Sequence, residues 1–178
     1  MSATLSASRL ILSCAASLLV TTLAAAADTA IAAGSTPLAG TWQADVSQSR
    51  FQGRAPYRSG KMKFIVEDGG KVHVVSDVIT ASGAVFHFEY SGLENGSALP
   101  VTGNPYYNSA AMHWKDRRTL VRTEFRDGKP IGTMTMVLAA DGRSFVASSS
   151  RTTPEDGHLY TSTILWKRVV EPAGNQSR

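Results

Sequence analysis

The feature that most constrains the fold of this chain is a series of tight-turn signals spaced about ten residues apart. These signals are Asp68-Gly69-Gly70, Ser82-Gly83, Asp116-Arg117, Asp127-Gly128, Asp141-Gly142 and Pro154-Glu155-Asp156-Gly157. Asp-Gly favours two-residue hairpins because both residues tolerate the positive φ that matches strand twist. No long segment between the turns repeats apolar residues with the 3.6-residue period of a helix. The pattern therefore indicates an all-β domain whose strands are joined by hairpins.

The segments between the turns predict ten strands and almost no helix. Their predicted ranges are 40–45, 59–67, 71–80, 84–91, 97–101, 109–115, 119–126, 130–138, 144–152 and 159–169. A meander of hairpins closes naturally into a barrel, which removes its exposed edges. We therefore predict a single antiparallel up-and-down β-barrel of about 8–10 strands.

Hairpin pairing predicts which face of the C-terminal strands is buried. A two-residue turn at Asp127-Gly128 places Val121 opposite Met134, and the next two turns extend the same face. The predicted inner face comprises Val121, Thr123, Phe125, Met134, Met136, Leu138, Phe145, Ala147, Ile164 and Trp166. The opposite face carries Arg122, Glu124, Arg126, Thr133 and Thr135, so the apolar set is expected to form the interior.

The N-terminal strands give a similar pattern with one conflict. Pairing across Asp68–Gly70 places Met62, Phe64, Val66, Val72, Val74 and Ser76 on one inner face. A two-residue turn at Ser82-Gly83 adds Val78, Val85, His87 and Glu89 to that face. It also turns Phe86, Phe88 and Tyr90 outward. These three aromatic side chains are then either covered by the loop 46–57 or exposed as a contact patch.

The N-terminus has the three parts of a secretory signal peptide. Arg9 is followed by an apolar stretch over residues 10–23, and Ala25 and Ala27 give the small-x-small pattern of a cleavage site before Asp28. We predict a signal peptide at residues 1–27, a flexible lead at 28–38, the barrel domain at 39–170 and a flexible tail at 171–178. The expected location is periplasmic or secreted, with no transmembrane segment after cleavage.

Cleavage changes which chemistry the chain can perform. Cys14 is the only cysteine and lies inside the predicted signal, so the mature chain has no disulfide, thiolate metal site or cysteine nucleophile. Losing Arg9 lowers the net charge from +4 to +3, and charges of both signs alternate along the chain. That distribution does not indicate a nucleic-acid footprint, which clusters cations on one face.

The remaining residues predict neither a metal nor a cofactor site. The histidines are His73, His87, His113 and His158. Their spacing places His73 and His87 about 16 Å apart along the strands and on opposite faces, so no shared metal is expected. No Gly-rich phosphate loop or dinucleotide fingerprint is present, and no Ser-His-Asp spacing indicates a hydrolase.

Two short motifs carry a family resemblance. The first strand begins Gly40-Thr41-Trp42 and the last contains Trp166-Lys167-Arg168, which resembles the calycin pattern of lipocalins and fatty-acid-binding proteins. The resemblance implies that Trp42 closes one barrel end and that Arg168, or Lys167, covers it. With Ser47–Phe51 and Pro100–Pro105, the chain is also similar to lipocalin-like exported bacterial proteins of uncharacterised function.

The sequence departs from both calycin families at two places. About 13 residues separate the first two predicted strands, too few for the two-helix lid of fatty-acid-binding proteins. About ten residues follow the last strand, too few for the helix that lipocalins pack on the barrel. The ligand class of either family is therefore not carried over.

The main functional hypothesis is an exported protein that binds a small, apolar or lipid-like molecule inside the barrel. His87 and Glu89 fall on the predicted inner face, where buried ionisable groups need a partner or a wet cavity. The candidate ligand-binding residues are Met62, Phe64, Val74, His87, Glu89, Phe125, Met134, Met136 and Tyr160. No catalytic residue is assigned to this binding hypothesis.

Two alternatives stay open. The first is a barrel enzyme that uses His87 and Glu89 as acid and base. The second is an envelope interaction module with a filled core and a contact surface of Phe86, Phe88 and Tyr90. The loop 100–108, with its aromatic tip Tyr106-Tyr107, either gates the barrel mouth or holds a wide turn in place. The interior volume separates a binding barrel from a filled one.

Overall fold

The computed structural model describes residues 36–153 and 155–170 and contains ten antiparallel strands. The strands are β1 Gly40–Gln52, β2 Tyr57–Val66, β3 Val72–Thr80, β4 Val85–Gly92, β5 Asn95–Pro100, β6 Ser109–Trp114, β7 Thr119–Arg126, β8 Lys129–Leu138, β9 Ser144–Thr152 and β10 Leu159–Arg168. A short 3-10 turn at Asp68–Gly70 joins β2 to β3, and the described residues contain no α-helix. The predicted all-β fold is confirmed.

The strands form a nearly closed barrel. Their order in the sheet is β4-β3-β2-β1-β10-β9-β8-β7-β6-β5, so β1 and β10 join the two halves of the chain. Strands β4 and β5 are the two edges of the sheet, and an isolated bridge joins Glu89 on β4 to Thr102, which follows β5. The meander topology predicted from the turns is therefore present, with one weakly paired edge.

The core occupies the interior of the barrel. Phe145 packs edge-on against Trp42, with ring centroids 4.8 Å apart, and stacks on Trp166 at 5.9 Å. The inner face predicted for β8, β9 and β10 is confirmed, because Met134, Met136, Leu138, Phe145, Ala147, Ile164 and Trp166 are all buried. Trp42, Phe145 and Met136 belong to this packed core, whereas Met134 and Trp166 also line the cavity described below.

The predicted face of β7 is wrong by one residue. The turn at Asp127-Gly128 has the expected positive φ values of 52° and 78°. Beyond it, however, Phe125 pairs with Pro130 and Glu124 with Gly132, so β8 contains a bulge of one residue. Proline has no N–H to donate to a regular ladder, which favours a bulge at this point. A one-residue shift reverses the whole face.

As a result, the side chains of Leu120, Arg122 and Glu124 point into the barrel. Thr123 and Phe125 lie half-buried on the outer face of β7. The assignment of Phe125 to the ligand cavity is therefore incorrect.

The predicted face of β4 is also wrong by one residue. The turn between β3 and β4 has three residues, since Thr80 N–H donates to Ala84 O at 2.9 Å across Ala81–Gly83. Val78 consequently pairs with Phe86 rather than His87. Phe88 and Tyr90 are buried in the barrel, whereas His87 and Glu89 point outward. The predicted contact patch of three exposed aromatic side chains is therefore wrong, because only Phe86 remains partly exposed.

Trp42 and Arg168 lie together at the end of the barrel where β1 begins. The Arg168 guanidinium lies 4.2 Å from the Trp42 ring centroid and donates to Gly142 O at 2.9 Å, Pro37 O at 3.1 Å and Ala39 O. Lys167 instead points outward to Asp45 at 2.6 Å. A side chain at Gly40 would collide with Arg168, because its Cβ would lie 2.8 Å from Nη1.

Residues 36–38, which we assigned to the lead, also pack against this end. Leu38 is buried and accepts a hydrogen bond from Trp42 Nε1 at 2.7 Å.

The predicted signal peptide, most of the lead and the predicted tail lie outside the described residues. Within the part of the chain that is described, no helix is long and apolar enough to cross a membrane.

Candidate functional site

The upper half of the barrel, opposite the Trp42 end, contains a buried charged triad. On β7, Arg122 Nη2 lies 2.5 Å from Glu124 Oε1. From β9, Arg151 Nε donates to Glu124 Oε2 at 2.6 Å, and its Nη2 lies 2.5 Å from the same oxygen. The side chains of Arg122 and Glu124 are 2% and 1% exposed, and that of Arg151 is 11% exposed. The triad carries a net charge of +1 inside the protein.

Gly132 on β8 allows the triad to form across three strands. It pairs with Glu124 on one side and with Arg151 on the other. A Cβ at Gly132 would lie 2.7 Å from Ser150 O and 2.9 Å from Arg151 Cβ. The missing side chain thus leaves the space through which Arg151 reaches over β8 to Glu124.

Glu124 is ionised despite its burial. Burial opposes its charge, but the attraction of Arg122 and Arg151 and their hydrogen bonds outweigh that effect and hold the pKa of Glu124 below its usual value. A buried carboxylate paired with two arginines by charge-assisted hydrogen bonds is the strong form of such a contact. The triad is therefore a fixed electrostatic feature of the interior.

Two buried tyrosines border the triad. Arg122 Nη1 donates to Tyr90 Oη at 3.4 Å, and the Arg122 guanidinium lies 5.4 Å from the Tyr107 ring centroid. Burial raises the pKa of both phenols, so both remain protonated and keep an O–H donor. Tyr107 comes from the loop 101–108, which inserts its aromatic tip into the mouth of the barrel.

Four buried polar atoms in this region have no hydrogen-bond partner among residues 36–153 and 155–170. They are Ser76 Oγ, Tyr107 Oη, Arg122 Nε and Trp166 Nε1. Unsatisfied buried donors are rare and each costs about 1–3 kcal/mol. All four residues line the same cavity. Their convergence is the strongest indication of a binding site in the described structure.

The cavity is small and lies in the upper barrel. Its volume is about 40 Å³ for the centres of water-sized molecules, which is room for about three waters. Its buried lining residues are Met62, Ser76, Val78, Phe88, Tyr107, Arg122, Met134, Ile164 and Trp166. Its partly exposed mouth is lined by Arg54, Tyr57, Phe86, Asn104, Pro105, Tyr106, Ser149 and Arg151. No carboxylate occurs among these lining residues.

The residues predicted to line the ligand cavity are dispersed in the structure. Met62 and Met134 do line it. Phe64, Val74 and Met136 are buried in the core but not at the cavity. Tyr160 is half-buried and packs on His158, with ring centroids 4.7 Å apart.

His87 and Glu89 lie outside the barrel. His87 Nδ1 lies 2.6 Å from Asp77 Oδ1, and the His87 side chain is 58% exposed. The hydrogen bond with Asp77 raises the pKa of His87. Glu89 Oε2 lies 3.0 Å from His73 Nε2 on the same outer face. The proposed acid–base pair is therefore absent from the cavity, and His73 and His87 share a face, contrary to prediction.

The described residues contain no group of three or more His, Cys, Asp or Glu side chains that could hold a metal ion. The candidate site residues that the sequence did not indicate are Arg122, Glu124 and Arg151, whereas Tyr107 was indicated only as part of the aromatic tip of the loop 100–108. Two features of β8 could have revealed the first two, since Pro130 and Gly132 within one strand indicate a bulge.

Comparison with known proteins gives structural similarities only. No protein-family model matches the chain, and no curated protein matches it. Among solved structures, EF1p2_mFAP2b bound to DFHBI is 13% identical with a TM-score of 0.47, covering 75% of this chain and 94% of that one. The zebrafish ileal bile acid-binding protein complexed with cholic acid is 9% identical with a TM-score of 0.45, and the match covers 75% of this chain and 100% of that one. The siderocalin Ex-FABP is 13% identical with a TM-score of 0.34, and the match covers 77% of this chain and 78% of that one.

Proposed function

We propose that this protein binds a small organic anion, whose acidic group enters the upper cavity of the barrel. The observation that carries the proposal is the convergence of four unpartnered buried polar atoms on one cavity. Three of them, on Tyr107, Arg122 and Trp166, can donate, and Ser76 can donate or accept. A carboxylate is a compact group that accepts several hydrogen bonds at once.

Charge at the cavity favours an anion over a neutral ligand. Arg122 and Arg151 share a single carboxylate, so each retains donors that Glu124 does not use. Low local polarity strengthens attraction between these guanidinium groups and an incoming anion. A cationic ligand would instead meet an excess of positive charge.

The small size of the cavity favours a short ligand over the lipid-like ligand that the sequence suggested. Below the cavity, the barrel is filled by buried side chains, including Phe64, Met136 and Phe145. A long acyl chain would have to displace this core, at a cost of several side-chain rearrangements. A short ligand that extends from the cavity toward the mouth fits the available space.

Matched acids and amides test the proposal by calorimetric titration of the mature protein. Benzoate and hexanoate are expected to bind more tightly than benzamide and hexanamide. Tyr107→Phe should weaken binding of both acids by about 10- to 100-fold. It should leave the stability of the free protein unchanged or higher, because the hydroxyl has no partner there.

Tyr160→Phe is the matched control, since Tyr160 does not line the cavity. Equal binding of acids and amides, no saturable binding of either acid, or an affinity unaffected by Tyr107→Phe would each contradict the proposal.

We also propose that the protein acts outside the cytoplasm, after removal of residues 1–27. The proposal rests on the apolar stretch and the Ala25 and Ala27 cleavage pattern of the sequence. The full-length chain is expressed in a bacterium and the cells are fractionated. The protein should be found in the periplasmic fraction, and its intact mass should correspond to a chain that begins at Asp28. A cytoplasmic product that retains Met1 would contradict this proposal.

A further inference from the structure

The mouth of the cavity indicates which anion fits it, and this inference rests on the proposed function. We propose that the ligand is a compact aromatic acid whose ring lies in the mouth, with a second acidic or acceptor group directed to Arg54. The observations that carry it are three aromatic rings and an arginine at the mouth, together with the small volume behind them.

Three aromatic side chains from different elements surround the opening. Tyr57 begins β2, Phe86 lies on β4 and Tyr106 projects from the loop 101–108. The rings of Phe86 and Tyr106 lie 6.0 Å apart at an interplanar angle of 57°. Aromatic pairs favour tilted or offset contacts, and a planar ligand ring can join such a cluster. A saturated ring gains only the hydrophobic part of that contact.

The loop that carries Tyr106 is held firmly in place. Arg126 Nη1 donates to Pro105 O at 2.9 Å, and Thr102 N–H donates to Glu89 O at 3.0 Å. At Gly103, φ is +77°, and a Cβ would lie 2.1 Å from His87 O, so only glycine permits this approach to β4. A fixed loop presents the ring of Tyr106 in a set orientation, which lowers the entropic cost of binding.

Two arginines at the mouth are already stacked on aromatic rings. The Arg54 guanidinium lies 4.8 Å from the Tyr57 ring centroid, and that of Arg151 lies 5.3 Å from Tyr106. Within residues 36–153 and 155–170, Arg151 pairs with Glu124, whereas Arg54 has no carboxylate partner. Stacking leaves the N–H groups at the edge of the guanidinium free to bind an anion.

Charge balance supports a ligand with more than one acidic or acceptor group. Arg54, Arg122 and Arg151 contribute three positive charges at the cavity. Glu124 offsets one of them, which leaves 3 − 1 = +2. A ligand with one carboxylate, bound in the upper cavity, would leave Arg54 without an anionic partner. A second acidic or acceptor group on the opposite side of the ligand ring would pair with Arg54.

Matched acids test the ring and the second group separately. Benzoate is expected to bind about fivefold more tightly than cyclohexanecarboxylate, since aromatic pairing adds to the area buried. Tyr106→Leu should remove most of that difference. Terephthalate should bind more tightly than benzoate, and Arg54→Gln should weaken terephthalate binding more than benzoate binding, so that the advantage of the second carboxylate is lost.

Arg58→Gln is the matched control, because Arg58 is an exposed arginine on β2, four residues after Arg54, and does not line the cavity. Equal affinities for benzoate and cyclohexanecarboxylate would overturn the aromatic assignment while leaving the proposed function intact. If neither acid binds, the proposed function itself fails. Palmitate binding far more tightly than hexanoate would also overturn the inference, because the barrel must then open to a long chain.

Discussion

Arg122, Glu124 and Arg151 give the barrel interior its chemical character. Each arginine contacts the same carboxylate, so the three side chains hold each other in fixed positions. Removing one partner of a buried ion pair leaves an uncompensated charge, which costs more than the pair contributes. The stability of the site, and the anion binding that we propose for it, therefore both depend on Glu124.

Glu124→Gln is expected to destabilise the protein by about 3–5 kcal/mol, because two arginines are left without a counter-charge in the interior. Urea unfolding at pH 7 measures the change. Glu89→Gln is the control, since its carboxylate pairs with His73 on the outer face, and surface pairs contribute about 0–1 kcal/mol. A similar loss in both variants would contradict the role of the triad.

The same residue predicts how stability depends on pH. The pKa of Glu124 is lower in the folded protein than in the unfolded chain. Its contribution is therefore complete above the unfolded value of about 4.3 and is lost as the pH falls through the folded value. Unfolding free energy measured from pH 7 downward should decline in this acid range. A smaller decline is expected for Glu124→Gln, and an identical decline would exclude Glu124 as a cause.

Two elements show how far the sequence predicts this structure. The turns predicted ten strands and their order along the sheet, because Asp-Gly and related pairs specify hairpins locally. The faces of β4 and β7 were predicted incorrectly, since a three-residue turn and a one-residue bulge each reverse the alternation. These two shifts placed the polar interior incorrectly, so the candidate site was largely unpredicted.

Gly132→Ala tests whether β8 leaves space for the triad. The added Cβ would lie 2.7 Å from Ser150 O, so β8 and β9 must separate. We expect a loss of about 1–3 kcal/mol and weaker benzoate binding, because Arg151 is displaced. Thermal unfolding and titration measure the two effects. Thr133→Ala, at an exposed position of the same strand, is the control. If Gly132→Ala had the same stability and benzoate affinity as Thr133→Ala, this account would be contradicted.

At the scale of the whole molecule, the barrel has one sealed end, and its other end contains the polar cavity for which we propose anion binding. Arg168 seals the first by bonding three carbonyl groups from segments distant in the sequence and by lying over Trp42. The loop 101–108 and the polar cavity occupy the other end. The Gly-x-Trp motif and Arg168 suggested the sealed end. For the other end, the sequence indicated only the loop 100–108, with mouth gating and turn support both left open.

Arg168→Met is expected to destabilise the barrel by about 2 kcal/mol, because several hydrogen bonds and a cation–π contact are lost together. Arg168→Lys should have an intermediate effect, since it keeps the charge but not the planar fork. Thermal unfolding of the three proteins provides the ranking. Full stability in the methionine variant would show that the seal contributes nothing.

The central claim is that the upper cavity of the barrel receives an acidic group. The indole N–H groups report on it directly in ¹H–¹⁵N spectra. Trp42 and Trp114 donate to Leu38 O and Glu94 Oε2, whereas Trp166 Nε1 lines the cavity and has no partner in the described part of the chain. During titration with benzoate, the Trp166 resonance should move downfield and saturate while the other two stay in place. A stationary Trp166 resonance, or equal movement of all three, would contradict the claim.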